Sequence, residues 1–156
     1  MARTFEKRRI GRTALEVTTL GVGGASLAGI FSGVPAEQAR ATVRHALDCR
    51  ITYVDTAPQY GLGRSEHMVG DVLREHTGGF VLSTKVGRLL RPVAAAEQDR
   101  GNWVDPLPFN QHYDYSYDGV MRSFEDSLQR LGLAEVDVLY VHDIGTMTHG
   151  AEGNAP

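Results

Sequence analysis

Four polar side chains stand at or just after the ends of short β-branched apolar runs. Asp55 closes Tyr53-Val54-Asp55 and Tyr60 follows it closely, Lys85 ends the run that starts at Phe80, and His142 follows Val138-Leu139-Tyr140-Val141. The ends of successive parallel strands lie on one face of a sheet or barrel, so these side chains are expected to converge. A carboxylate, a phenol, an ammonium and an imidazole together can move a proton to or from a carbonyl oxygen. A phenol is a poor base near neutrality because its usual pKa is about 10. An ammonium beside it favours the phenolate, and a carboxylate holds that ammonium charged and oriented. An imidazole can hydrogen-bond a substrate oxygen and hold it in place. Tyr60, Lys85, Asp55 and His142 match these roles in that order. Each has a plainer reading alone: Asp55 as a turn former, Tyr60 as a half-exposed turn aromatic, Lys85 in solvent, His142 as a structural histidine. Lysine sits least comfortably in its plain reading, since it is seldom buried unpaired. The joint pattern is more specific than any member.

The elements that must position these groups alternate. Residues 8–20 read as a hairpin around Gly11-Arg12-Thr13, with Leu15, Val17 and Thr19 on its buried side. Residues 20–25 form a short Gly-rich strand. Pro35 suits a helix start, and Ala39, Val43, Ala46 and Leu47 give that helix one buried face. Residues 51–55 are the next strand. A second helix begins near Ser65-Glu66 and buries Met68, Val69, Val72 and Leu73; residues 80–86 are a strand. A third helix has Ser116 as N-cap, is expected to bury Val120, Phe124, Leu128 and Leu131, and stops at Gly132. Residues 136–141 form the last strand, and 146–156 read as a tail of loop or disordered chain. Such alternation argues for a parallel sheet with helices outside it. Residues 87–115 show no clean period, yet hold Trp103, Phe109, Tyr113 and Tyr115; a loop that long is often a lid or binding loop.

Bulk properties bound the function. The 156 residues are 42% hydrophobic, enough for one modest core, and carry a mixed net charge of −3 with no basic stripe for nucleic acid. The single cysteine, Cys49, cannot form an intrachain disulfide, fits a reducing compartment and reads as a small buried residue near a helix end. Met1 to Arg9 are charged and lack the apolar core of a signal peptide, and no apolar run approaches the ~18 residues of a membrane span. A cytoplasmic enzyme or binding protein without a membrane partner is expected. His45, His67 and His76 read as solvated, no Cys/His spacing suggests a metal, and Arg88 and Arg91 are expected at the surface.

The motifs now support a family resemblance. Tyr53-Val54-Asp55-Thr56-Ala57-Pro58-Gln59-Tyr60-Gly61, with Gly63-Arg64-Ser65-Glu66, closely resembles the signature segment of the aldo-keto reductases. Ser83-Thr84-Lys85-Val86-Gly87 resembles their lysine strand, and Leu139-Tyr140-Val141-His142-Asp143 their histidine strand. Residues 114–128 look like the subgroup of aldose 1-dehydrogenases, L-fucose or L-galactose dehydrogenases and pyridoxal 4-dehydrogenases. The resemblance implies an α/β fold of the (β/α)8 TIM-barrel type, with its site at the C-terminal strand ends and the hairpin capping the bottom. It implies NADP or NAD as cofactor, approached by Gly24, Ala25, Ser26 and Asp55, and a small carbonyl or sugar substrate. Asp143 is a candidate for a sugar hydroxyl, and Trp103 for an apolar wall over the substrate. The run Gly21-Val22-Gly23-Gly24-Ala25-Ser26 fails as a dinucleotide fingerprint because its sixth position is Ser26.

A whole barrel needs eight such units and about 250 residues. Residues 1–156 therefore read as a single partial domain, the N-terminal half, with four parallel strands and three helices. Its open edges invite self-association. The favoured expectation is a portion of a longer enzyme. The alternatives are a half-barrel that closes by pairing, and a truncated inactive form. A non-catalytic binding subunit with this fold, and a doubly wound domain binding phosphate at residues 21–25, are rivals of other classes.

Overall fold

In the computed structural model, which describes residues 5–153, a short hairpin precedes the main sheet. Its strands β1 (Lys7–Arg9) and β2 (Glu16–Thr18) pair antiparallel. Thr18, rather than Thr19, is the buried residue. Its hydroxyl accepts the Thr52 and Tyr53 backbone N–H groups at 3.2 Å each and donates to the Leu20 carbonyl at 2.7 Å. Those bonds to the chain entering the main sheet outweigh the simple alternation of the hairpin.

The main sheet contains β3 (Gly21–Gly23), β4 (Tyr53–Asp55), β5 (Val81–Val86) and β8 (Val138–Val141), in that spatial order and all parallel. β3 ends early because the chain turns at Gly24 into α1 (Gly24–Leu27). The crossovers carry α2 (Ala36–Asp48), α3 (Arg64–Leu73) and α4 (Tyr117–Leu131). Sequential order without reversal is the winding of a barrel wall. A doubly wound sheet needs a switch point, and this order has none. Right-handed crossovers then put the helices on one face. Val54 and Leu82, paired across β4 and β5, sit in one core with Val43 and Leu47 of α2, Val69, Val72 and Leu73 of α3, and Leu131 of α4.

The helical faces follow the expected periods except in α4. Ala39, Val43, Ala46 and Leu47 are buried in α2, as are Met68, Val69, Val72 and Leu73 in α3. In α4 the fully buried stripe is Gly119, Ser123, Ser127 and Leu131, while Val120, Phe124 and Leu128 are only half-buried. Small residues let α4 lie against α3 and the strand Arg88–Pro92, which turns the larger apolar residues to the flank. Ser116 caps α4 by accepting the Gly119 N–H at 3.1 Å, and Gly132 ends it in the left-handed region at φ 64°.

The stretch 87–115 is not an irregular loop. β6 (Arg88–Pro92) and β7 (Phe109–Tyr113) pair antiparallel, with a 3-10 turn at Ala95–Glu97 between them. Polar residues in β7 and the flanking prolines hide its period. Gly87 makes the junction from β5: its φ is 93°, and a Cβ there would stand 2.3 Å from the Tyr115 ring. Cys49 is exposed, because it follows the last turn of α2 and lies off the buried stripe. Thr146–His149 forms one turn, α5, within the segment read as tail; residues 154–156 of that segment lie outside the described residues. No helix among the described residues is long and apolar enough to cross a membrane.

Behind the sheet, Glu66 is wholly buried, accepting from Thr84 Oγ1 at 2.7 Å and Arg130 Nε at 2.6 Å. Removing one partner of a buried pair strands the other charge, a loss of about 3–5 kcal/mol. Glu66→Ala should lower the urea midpoint by a corresponding amount, and adding Arg130→Met should restore most of it.

Candidate active site

The register of β4 and β5 aligns Asp55 with Ser83, so Lys85 lies two residues beyond it on the same face. Lys85 Nζ donates to Asp55 Oδ1 at 3.0 Å, to Oδ2 at 2.8 Å and to the Thr56 carbonyl at 2.9 Å. Tyr60 sits in the turn after β4. Its backbone N–H donates to the Ala57 carbonyl at 3.1 Å, and its own carbonyl accepts from Ser65 N–H at 3.1 Å. Lys85 Nζ lies 4.7 Å from the centre of the Tyr60 ring. The His142 ring meets that ring edge-on at 5.9 Å, and the Trp103 ring lies 6.0 Å away. The phenol is thus flanked by a cation, an imidazole and an indole.

His142 is fixed through its backbone. Its N–H donates to the Val86 carbonyl at 3.0 Å, and its carbonyl accepts from the Tyr115 hydroxyl at 2.9 Å. Burial, seconded by the charge of Arg88, pulls the imidazole pKa down to about 4, against the opposing pull of Asp143. The ring is therefore neutral near pH 7. Nδ1 is buried without a partner, and Nε2 lies 3.5 Å from Asp143 Oδ2. Nε2 is therefore the ring nitrogen that faces a polar group.

Asp143 takes a left-handed backbone conformation at φ 51°, which Asp tolerates better than most residues. Its Oδ2 accepts from Arg88 at 2.5 Å, and its side chain remains 56% exposed. Arg88 is buried, not at the surface as expected. It also donates to Gln111 Oε1 at 3.0 Å and stacks on Tyr113 at 5.1 Å, so partners on β7 and at the end of β8 replace its water. Gly24, Ala25 and Ser26 begin α1, at the same sheet end as Asp55, whose strand partner is Gly23. Gly24 is buried, Ala25 half-buried and Ser26 exposed.

Asp55, Tyr60, Lys85, His142, Trp103 and Asp143 therefore form one group, with residues 24–26 on the neighbouring strand end. The sequence reading passed over Tyr53 and Ser83, and placed Arg88 at the surface. Tyr53 and Ser83 each precede a site residue by two positions in a strand, and that spacing places them on its face.

The profile of the Aldo/keto reductase family matches residues 19–153. The chain belongs to that family. It is 50% identical over 153 residues to pyridoxal 4-dehydrogenase of Microbacterium luteolum, covering 92% of this chain and 45% of the relative. It is 38% identical over 135 residues to D-threo-aldose 1-dehydrogenase of a Pseudomonas species, covering 83% and 41%. The structure of an aldo-keto reductase from Bacillus halodurans in its holo form matches with a TM-score of 0.71 at 27% identity, over 96% of this chain and 44% of the other. The chain thus spans less than half the length of these relatives, and its sheet is part of an aldo-keto reductase TIM barrel.

The lowered pKa of His142 has a consequence for stability. The unfolded chain binds a proton near the ordinary histidine pKa of about 6.5, and the folded one only near 4. Stability from the neutral ring is complete above pH 6.5 and is lost as pH falls toward 4. The loss should reach about 2–3 kcal/mol. Urea midpoints across that range should fall more steeply for the native chain than for His142→Gln.

Proposed function

We propose that the protein to which these residues belong is an NAD(P)-dependent oxidoreductase. It would oxidise an aldose or a similar hemiacetal or aldehyde, such as pyridoxal, to the lactone, or run the reverse carbonyl reduction. The observation that carries this reading is the Lys85–Asp55 pair held against the Tyr60 ring, with neutral His142 on the ring's other flank.

The residues at the β3 end fit a nicotinamide dinucleotide. The position of a Cβ on Gly23 faces unfilled space, and Gly23, Tyr53 and Asp55 line one end of a depression that continues along the sheet to Arg8, Val17 and Thr18 of the hairpin. Gly24, Ala25, Ser26 and Asp55 would hold it, and when bound it supplies or accepts the hydride. His142 Nε2–H holds the reacting oxygen. Tyr60 gives that oxygen a proton in reduction and takes one from it in oxidation. Lys85 stabilises the phenolate, and Asp55 orients Lys85.

Asp143 supports a hydroxylated substrate. Oδ2 is engaged by Arg88, while the exposed remainder of the carboxylate can accept from a second substrate hydroxyl near His142. Trp103 stands beside Tyr60 as an apolar wall for a sugar or pyridine ring. We place the enzyme in the cytoplasm, where an exposed free thiol such as Cys49 persists.

The test is Tyr60→Phe in the whole protein, assayed by NAD(P)H formation from L-fucose, D-arabinose and pyridoxal. Turnover should fall by at least about a thousandfold while cofactor titration by fluorescence is unchanged. Undiminished turnover would remove Tyr60 from the mechanism. A separate comparison concerns Asp143→Ala, which should lower kcat/KM about tenfold or more for aldoses and leave a simple aldehyde nearly unaffected. Equal losses on both substrates would reject the hydroxyl contact.

A further inference from the structure

The inner face of a TIM-barrel sheet is ordinarily filled by bulky branched side chains. Here a line of hydroxyls runs along it into the carboxylate of Asp55. The Tyr140 and Tyr53 hydroxyls lie 3.4 Å apart, those of Tyr53 and Ser83 3.1 Å, and Ser83 Oγ lies 2.6 Å from Asp55 Oδ1. The strand register accounts for the line: Tyr53 and Asp55 face one way from β4, Ser83 and Lys85 from β5, and Tyr140 pairs with Lys85 across β8.

The chemistry of the end group fixes the direction of the last bond. An ionised carboxylate only accepts, so Ser83 must donate its one proton to Asp55. Ser83 Oγ stands within donating reach of two acceptors, Asp55 Oδ1 and the Tyr53 oxygen, and Tyr53 is in turn backed by the Tyr140 hydroxyl. Burial pushes the Tyr53 pKa up to about 12, so its hydroxyl keeps its proton throughout the working range. Ser83 is wholly buried, and no water competes for it.

We propose that Ser83, oriented by Tyr53, is a positioning residue for the Asp55–Lys85 pair. Asp55 Oδ1 accepts from both Ser83 and Lys85, while Oδ2 accepts from Lys85 alone. The serine bond thus fixes the rotation of the carboxylate. That rotation sets where Lys85 Nζ stands beneath the Tyr60 ring. Neither hydroxyl touches Tyr60, so their effect reaches the reacting oxygen only through the ion pair.

This inference rests on the proton-transfer role proposed for Tyr60, and two readouts on the whole protein keep the two apart. The first is kinetic. Ser83→Ala should lower kcat about tenfold, the worth of a hydrogen bond to a charged group, with KM within about twofold. Its kcat–pH profile should move by about half a unit or more, which a uniform loss of folded enzyme would not cause. Ser83→Thr should restore both. Tyr53→Phe should cost a few-fold alone and nothing further in the Ser83→Ala background. The second readout needs no turnover: the Lys85 ammonium should give a 15N-detected NMR signal, its proton exchange slowed by its three acceptors. Ser83→Ala should broaden that signal away and Ser83→Thr return it. A Ser83→Ala protein with the native Lys85 signal overturns the inference, whether or not the protein turns over the sugars and pyridoxal. An inactive native protein whose Lys85 signal responds as stated overturns the functional reading alone.

Discussion

A lysine placed on a sheet face costs free energy unless an anion meets it there, and Asp55 meets Lys85 from the adjacent strand. The requirement constrains much else. β4 and β5 must be parallel neighbours in the observed register, since a slip of one residue would turn Lys85 toward the apolar helices. The turn after β4 must then deliver both the Thr56 carbonyl to the ammonium and the Tyr60 ring to its side. A single ion pair thus ties together a strand register, a turn and a reactive phenol.

The same strands serve two solvents. Val54, Leu82 and Thr84 face the helices, where Leu82 and Val54 join the apolar core and Thr84 meets Glu66. Tyr53, Asp55, Ser83 and Lys85 face the other way and satisfy one another by hydrogen bonds and charge. Period-two alternation lets one three-residue strand anchor a core and carry a functional carboxylate. His142 follows a different rule. It is buried among charges of both signs, Arg88, Lys85, Asp143 and Asp55, and stays neutral because burial dominates them. A neutral ring donates a hydrogen bond without bringing a second cation beside Lys85.

Much of this was legible in the sequence. The β-branched runs ending in Asp55, Lys85 and His142 located three strand ends, and the family motifs joined them into one site. Spacing alone could not separate large from small residues on α4, because Gly119, Ser123 and Ser127 have the period of a buried face without its hydrophobicity. The hairpin of β6 and β7 escaped notice for a related reason: Asn110, Gln111 and His112 occupy strand positions that composition assigns to loops. Arg88 looked like a surface cation, since only tertiary contacts supply its partners Asp143, Gln111 and Tyr113. Tyr53 and Ser83 were recoverable in principle from their spacing to Asp55 and Lys85. What the sequence lacked was the cross-strand register that brings their hydroxyls within bonding distance.

The arrangement separates two tasks physically. The groups proposed for proton transfer sit on or directly beside sheet strands, where register and burial hold them. The groups proposed to meet the substrate depend on the β6–β7 hairpin: Trp103 comes from its connection, and Arg88, at its first residue, fixes Asp143. The hairpin is attached to the sheet through the Gly87 junction and by Tyr115, whose hydroxyl bonds the His142 carbonyl, and its connection is bonded to the loops after β3 and β4 through Val104 N–H to the Gly29 carbonyl and Leu107 N–H to the Gly61 carbonyl. Side-chain changes at residues 94–100, which those bonds leave out, can therefore alter the surroundings of Trp103 without moving the ion pair. Changes at the junction cannot, because the Tyr115 bond passes any displacement to His142. Selectivity should thus be adjustable along residues 94–100, and not at the bonded positions without cost to the geometry proposed for proton transfer.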